Sequence, residues 1–189
     1  MAADDVLRQW NDILRQVVRR MQERDLSGAV AVIDRCLESR PIFQIKARAL
    51  AFRGEVKRQL GETAEAKTDY EAAFSLDPSD RYHRYTVAIA LGSLSAQQGS
   101  HEDAAAWYMR ALAEAEVDES EMGGLAIQKL AVLREGNLNA SEKEACATVA
   151  AKAWKAAGLP GSPNVEDLLA SAEAIIAAGT SPPSGSRGR

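Results

Sequence analysis

The sequence predicts an all-α protein built from successive pairs of helices. About one residue in five of the 189-residue chain is alanine, which is the strongest helix former and a poor strand former. Apolar residues recur at three- and four-residue steps along most of the chain, and this is the period of an amphipathic helix. Glycine and proline divide the periodic stretches into segments of ordinary helix length. Together these observations favour about nine helices joined by short turns.

The first four helices are separated by identifiable stops. Helical periodicity runs over residues 6–21 and is broken at residues 24–26. The second helix ends before Pro41, because proline cannot continue a helix. The third ends at Gly61, since glycine adopts the positive φ of a helix end at little cost, and the fourth ends before Pro78. The predicted ranges are 6–21, 27–38, 43–60 and 63–76.

The later helices are marked by capping signals. Gly99 separates the fifth helix from the sixth, which follows Ser100. Ser141 and Glu144 have the spacing of a capping box, in which the two side chains satisfy backbone N–H groups at a helix start. The predicted ranges are 80–98, 100–117, 120–134, 141–158 and 164–178.

The charge pattern argues against several classes of protein. The chain has 23 Lys and Arg against 27 Asp and Glu, a net charge of −4, whereas nucleic-acid binders normally carry a basic surplus. Residues 1–60 carry a net +4 and residues 61–189 a net −8. No apolar run has the length of a membrane span, and the first residues lack the apolar region of a signal peptide. We therefore expect a cytoplasmic protein, compatible in composition with a bacterial source, that has no nucleic-acid or membrane partner.

Few residues could carry chemistry. His83 and His101 have no partner at metal-ligand spacing, and both are expected at the surface. Cys36 and Cys146 stand in unrelated contexts and are expected to be reduced, buried thiols. The sequence has no phosphate-binding loop and no nucleophile elbow. It therefore predicts no catalytic residue, no metal site and no cofactor.

Three segments, starting at residues 24, 61 and 99, align as an internal repeat. The aligned columns hold Ala29, Ala66 and Ala104, then Ile33, Tyr70 and Tyr108, then Cys36, Ala73 and Ala111. This pattern, followed in the second copy by Pro78, resembles the tetratricopeptide repeat family, a helix–turn–helix repeat. The small residues are expected where paired helices cross closely, and the large ones fill the space beside them.

The resemblance implies a right-handed solenoid of helix pairs over residues 1–158. Single pairs cannot bury their apolar faces, so neighbours stack. The expected segments are repeats at about 10–43, 47–80 and 85–118, a degenerate pair at 120–158, a linker at 159–163, a capping helix at 164–178 and a flexible tail at 179–189. Asp12, Arg15 and Arg19 replace apolar residues in columns that would meet a preceding repeat, so the first helix is expected to be a solvent-facing end.

The resemblance also implies a concave groove, lined by the first helix of each pair, that holds a partner peptide or helix. The matching positions are Asn11, Leu14, Val18, Gln22, Arg48, Glu55, Arg58, Gln59, Ile89, Ser93 and Gln97. Gln22, Gln59 and Gln97 share one column. Their amides could bind a peptide backbone, or they could simply be exposed helix formers.

Two parts of this groove have two interpretations each. Leu14, Val18 and Met21 form an apolar stripe that either anchors partner side chains or packs on its own second helix. Arg48 and Arg58 either attract an acidic partner or belong to a solvated face with contacts inside the helix.

These observations predict a non-enzymatic protein-interaction module that binds a partner peptide or helix in its groove. Two alternatives remain open. One is a secretion or assembly chaperone that shields an apolar segment of its partner. The other is a self-associating scaffold, in which the basic first part of one copy meets the acidic remainder of another.

Overall fold

The computed structural model describes residues 3–115, 120–134 and 137–156, and within these ranges the regular secondary structure is helical. The helices form successive packed pairs, consistent with the predicted tetratricopeptide-type solenoid. Their bounds are α1 Ala3–Gln22, α2 Leu26–Glu38, α3 Phe43–Leu60, α4 Thr63–Leu76, α5 Arg81–Gln97, α6 His101–Ala115, α7 Ser120–Leu133 and α8 Ala140–Ala156.

The all-α prediction is confirmed, and the predicted bounds of α3 and α4 agree with the structure to the residue. The bounds of α5 to α8 differ from the prediction by one or two residues where they fall within the described ranges. The predicted linker, capping helix and tail at residues 159–163, 164–178 and 179–189 lie outside the described residues.

The chain divides into two compact units, Met1–Leu94 and Ser95–Arg189. In the first unit α1 packs on α2 and α3, and α3 packs on α2 and α4. The rings of Trp10 and Phe52 meet edge to face with centroids 5.6 Å apart, which places α1 beside α3. Buried residues of the first three helices form one apolar core: Trp10, Val17, Ala29, Val32, Ile33, Cys36, Ile45, Ala49 and Val56.

The crossing of α3 and α4 requires a small residue at position 54. A Cβ added to Gly54 would lie 3.1 Å from the carbonyl oxygen of Ala66 and 3.0 Å from the ring of Tyr70. Ala66 and Ala73 on the facing helix are fully buried. The small residues of the aligned columns therefore mark a close helix crossing, as the repeat pattern predicts.

A buried carboxylate ties α3 to α4. Asp69 of α4 is 3% exposed and accepts two hydrogen bonds from Arg53, at 2.8 and 2.6 Å. The ammonium group of Lys57 lies 3.1 Å from the same carboxylate. A third bond from Arg53, at 2.7 Å, reaches Asp34 of α2. The buried carboxylate therefore explains how the fold accommodates two cations, Arg53 and Lys57, at this helix crossing.

Residues with a left-handed backbone follow four of the described helices, and one of them is Arg40 after α2, with φ of 52°. Gly61 and Gly99 have φ of 82° and 76°, and Arg24, in the same column of the repeat alignment, has φ of 59°. At Gly61 the backbone N–H groups of Gly61 and Glu62 donate to the carbonyls of Arg58 and Lys57. The corresponding bonds at Arg24 show that the turn geometry repeats although the glycine does not.

In the second unit α7 packs on α6 and α8. The guanidinium of Arg134 donates two hydrogen bonds to Glu102 of α6 and another to Glu142 of α8. Arg134 therefore links the first turn of α6 to the first turn of α8. Its position just after α7 makes this ion-pair network possible.

The predicted capping box of Ser141 and Glu144 is wrong in its residues. The helix begins at Ala140, and Asn139 and Glu142 exchange the two capping hydrogen bonds at 3.0 and 2.9 Å. Both Asn139 with Glu142 and Ser141 with Glu144 have the three-residue spacing of a capping box. Glu142 forms the cap because its carboxylate also contacts Arg134.

Both cysteines are buried and free, as predicted. Burial raises the pKa of both thiols, that of Cys146 to about 11. Thiols held in this form are poor nucleophiles, so their packing role is sufficient to explain them.

Candidate functional site

The predicted groove residues of α1 divide into an exposed row and a buried flank. Asn11, Val18 and Gln22 are exposed. Leu14 and Met21 are partly buried and pack on the core of the first unit. The apolar stripe predicted from the sequence is therefore split, and Val18, at 39% exposure, is the member open to a partner.

On α3 the predicted groove residues form a closed polar cluster around Glu55. This carboxylate accepts hydrogen bonds from Arg58 at 2.7 and 2.9 Å, from Gln59 at 2.8 Å and from the Tyr70 hydroxyl at 2.9 Å. Tyr70 comes from α4, so the cluster also fastens the two helices of the repeat. The sequence identified the contacts within α3 but not the tyrosine.

Burial and hydrogen bonding act in opposite directions on the Glu55 carboxyl. Burial alone would raise its pKa, but the bonds from Arg58, Gln59 and Tyr70 together lower it. The pKa of Tyr70 is raised, first by burial and then by the neighbouring negative charge. The pKa of Arg58 is raised by its bonds to the carboxylate. Glu55 therefore stays ionised and holds its donors in place.

Arg48 is also engaged within the first unit. Its guanidinium lies 3.1 Å from the carboxylate of Asp80, which precedes α5. With Arg58 held by Glu55, both arginines that were candidates for a basic groove have carboxylate partners in their own unit. The interpretation as a contact inside the helix is thus supported for Arg58, whereas the partner of Arg48 lies outside α3 and was not predicted from the sequence.

The predicted positions on α5 differ in accessibility. Ser93 is partly buried and Gln97 is exposed. Ile89 is only 9% exposed, so the expectation that it lines an open groove is wrong. Its apolar side chain belongs to the core, and helical periodicity alone could not separate the core edge from the groove edge.

The glutamine column is exposed, as both interpretations of it require. Gln22, Gln59 and Gln97 all lie at or near the end of a first helix. Gln59 already uses its amide nitrogen as a donor to Glu55. Its amide oxygen is the group that could accept a hydrogen bond from a partner backbone.

The surface position expected for His83 is wrong, whereas His101 is exposed as predicted. His83 is 8% exposed, and its Nε2 atom is buried without a hydrogen-bond partner in the described part of the chain. Burial lowers its pKa, against a smaller opposite effect of Asp80. The sequence placed His83 in a charged run at a helix start, which gave no signal of burial.

A cleft between α1 and α2 was not identified from the sequence. It has a volume of about 310 Å³ and is lined by Gln16, Arg19, Arg20, Glu23, Val32 and Arg35. The one relevant signal was the basic surplus of residues 1–60, which was interpreted as a surface for association between copies, while the candidate basic groove was placed at Arg48 and Arg58 of α3.

No group of His, Cys, Asp and Glu side chains in the described ranges could hold a metal ion. No helix within those ranges combines the length and apolar character that crossing a bilayer demands.

Residues 47–80 match the family model of the tetratricopeptide repeat. This segment comprises most of α3, all of α4 and the turn that follows it, and the other helices form successive packed pairs as well. Tetratricopeptide repeats are in general non-enzymatic and bind proteins or peptides. Among curated proteins no relative matches the chain.

Proposed function

We propose that this chain, which contains a tetratricopeptide repeat at residues 47–80, is a protein–protein interaction module. Its partner segment binds along the groove face, defined here by Asn11, Val18 and Gln22 of α1 with Gln59 of α3. The binding is non-covalent and needs no cofactor. The proposal extends to a cytoplasmic location and to a partner that is neither nucleic acid nor membrane.

The observation that carries this proposal is the exposed row on α1. Asn11, Val18 and Gln22 recur at intervals of seven and four residues, so they lie on one side of the helix. An exposed valine between two amides offers an apolar contact flanked by donors and acceptors for a peptide backbone. The contact of Trp10 with Phe52 brings α3 beside this row.

The alternative chaperone function has less support. It requires a continuous apolar surface to shield a partner segment, but Leu14 and Met21 pack on the core. One exposed valine is too small a surface for that task.

Site-specific photocrosslinking tests the groove face directly. A benzoylphenylalanine placed at Val18 is expected to crosslink to a partner protein in cells of the source organism. The matched control position is Thr68, which is exposed on α4, the second helix of its pair. Mass spectrometry of the adducts identifies the crosslinked segment.

The variant Val18→Glu with Gln22→Glu should then weaken binding of that purified segment at least about tenfold, since it buries two unpaired charges in the interface. The control variant Ala64→Glu with Thr68→Glu makes the same change in charge on exposed positions of α4 and should leave binding within about twofold. Equal adducts from positions 18 and 68, or equal loss in both variants, would refute the groove proposal.

A further inference from the structure

We infer that the cleft between α1 and α2 is a second binding site, which accepts an acidic peptide segment of a partner protein. The cleft is lined by Gln16, Arg19, Arg20 and Glu23 of α1 and by Val32 and Arg35 of α2. Three guanidinium groups thus face one carboxylate, and the nearly buried Val32 forms an apolar floor.

The cleft arginines retain most of their hydrogen-bonding capacity. A guanidinium has five N–H donors. Arg19 uses Nε for Glu23 at 3.0 Å, Arg20 uses one nitrogen for Asp25 at 2.6 Å, and Arg35 makes a long bond of 3.4 Å to a carbonyl of its own helix. Carboxylates bind such forks in pairs of parallel hydrogen bonds.

This arrangement differs from that of the arginines on α3. The guanidinium of Arg53 contacts two carboxylates, and that of Arg58 makes two hydrogen bonds to one. The side chain of Arg19 is 79% exposed and that of Arg20 is 49% exposed. The guanidinium groups of Arg19 and Arg20 are therefore more open to a ligand than those of Arg53 and Arg58.

The shape of the charged surface indicates an extended ligand. Arg8 and Arg15 are exposed and lie on the same side of α1 as Arg19, because intervals of seven and four residues return to one face. Arg15 is paired on that face with the exposed Asp12, at 3.4 Å. The three arginines span about 16 Å along the helix. That distance matches about five residues of extended peptide, whereas a single small anion would occupy the cleft alone.

The cleft is separate from the groove face. Gln16, Arg20 and Glu23 are turned by about 140° or more around the helix axis from Val18. These three lining residues are therefore turned away from the groove face, whereas Arg19 lies about 60° from Gln22 and Arg15 about 60° from Val18, so a segment that continues along the arginine row passes beside the groove face.

Fluorescence anisotropy with labelled ten-residue peptides tests the inference on the full chain. A peptide of alternating Glu and Gly is expected to bind at about 20 mM salt and to weaken at least about tenfold at about 300 mM, because salt screens exposed charges. A Gln–Gly peptide of the same length should not bind. Binding of both peptides alike would overturn the inference.

Charge reversal locates the site. Arg19→Glu with Arg35→Glu should weaken binding of the acidic peptide at least about tenfold. The control variant Lys46→Glu with Lys143→Glu makes the same change in net charge at exposed lysines that do not line the cleft, and it should weaken peptide binding less than about threefold. All four positions are exposed, and circular dichroism verifies the fold.

The remaining outcomes also decide the inference. Equal weakening by the two double variants would mean that only the overall charge attracts the peptide. Another outcome is that the original chain self-associates at low salt and fails to bind the peptide. If Arg19→Glu with Arg35→Glu abolishes that association, the occupant of the cleft is a second copy of the chain and the inferred acidic peptide is wrong. Peptide binding that Val18→Glu with Gln22→Glu weakens by less than about threefold would keep the cleft distinct from the groove face. A loss as large as that of Arg19→Glu with Arg35→Glu would place the peptide on the groove face and overturn the inference.

Discussion

Arg24 shows how one residue can depart from a repeated turn without changing it. It occupies the column of Gly61 and Gly99 and adopts the same left-handed backbone, with φ of 59°. A side chain with a Cβ is disfavoured there by about 1–2 kcal/mol relative to glycine. The turn persists because its backbone hydrogen bonds and the packing of α1 on α2 outweigh that cost.

We expect Arg24→Gly to stabilise the protein by about 0.5–1 kcal/mol. The relief of backbone strain exceeds the larger conformational entropy of glycine in the unfolded chain. Urea unfolding followed by circular dichroism measures the free energy. Gly61→Ala makes the reverse kind of change at the equivalent turn position and should lower the free energy of unfolding by about 1 kcal/mol. A loss of stability in Arg24→Gly would contradict this account.

His83 is a buried titratable group whose charged form the fold disfavours. Its neighbours are Asp77 and Asp80, which favour the charged form, and Arg48, which opposes it. Burial outweighs them and lowers the pKa. A group with a lowered pKa contributes stability that is present above its unfolded pKa of about 6.5 and is lost as the pH falls through the folded value.

The free energy of unfolding should therefore fall between about pH 7.5 and pH 5.5. His83→Gln should flatten this dependence, whereas His101→Gln, which changes an exposed histidine, should leave it unchanged. Urea titrations of the three proteins at both pH values provide the measurement. If His83→Gln shows the same fall as the original chain, the pH dependence has another origin.

At the scale of elements, ion pairs and caps decide how neighbouring helices join. Arg53 bridges α2, α3 and α4 through Asp34 and Asp69. The two carboxylates differ in environment, since the side chain of Asp34 is 43% exposed and that of Asp69 is 5% exposed. The two ion pairs have the same chemical groups, but they should therefore contribute differently to the free energy of unfolding.

We expect Asp69→Ala to lose about 2–4 kcal/mol, because it leaves Arg53 and Lys57 largely buried without their shared carboxylate. Asp34→Ala should lose less than about 1 kcal/mol, since water screens an exposed pair. Chemical unfolding of both variants under one condition makes the comparison. Similar losses would show that burial does not set the strength of this network.

The start of α8 gives a prediction that separates sequence spacing from structure. Asn139→Ala should lose about 1 kcal/mol, because the N–H of Glu142 loses its capping acceptor. Ser141→Ala should change stability by less than about 0.5 kcal/mol, since Ser141 lies inside the exposed first turn. Thermal and urea unfolding compare the two variants. A larger loss of stability in Ser141→Ala than in Asn139→Ala would support the capping box predicted from the sequence instead.

At the scale of the whole molecule, the charge of −4 is the sum of unlike regions. That polarity suggested association of copies head to tail. Within the second unit, however, Glu102 and Glu142 already share Arg134. Acidic groups paired inside their own unit attract the basic region of another copy less strongly.

The chain is therefore expected to sediment as a monomer of 20.3 kDa at both about 20 mM and about 500 mM salt. Sedimentation velocity at several protein concentrations measures this. A sedimentation coefficient that rises with concentration only at low salt would support the self-associating scaffold instead.

The sequence also predicted most of the fold, because the relevant signals are local. The period of the apolar residues and the Gly and Pro stops located α3 and α4 to the residue. The alanine columns predicted the close crossing of α3 and α4 at Gly54, since a small residue is needed wherever two helix backbones approach each other. The prediction failed where the deciding partner was distant in sequence, as at Ile89 and His83.

By itself, therefore, the sequence determined the helical class, the pairing of helices, the buried cysteines and the resemblance to a tetratricopeptide repeat. Only the tertiary structure decided which charges are open to a partner. Periodicity places an arginine on a face of its helix, but it does not show whether a carboxylate from another element lies opposite. Arg48 meets Asp80, 32 residues away, whereas Arg19 and Arg35 line an open cleft. The free energy of a contact between two charges depends on the distance between them and on their burial. Both are set only when the chain folds.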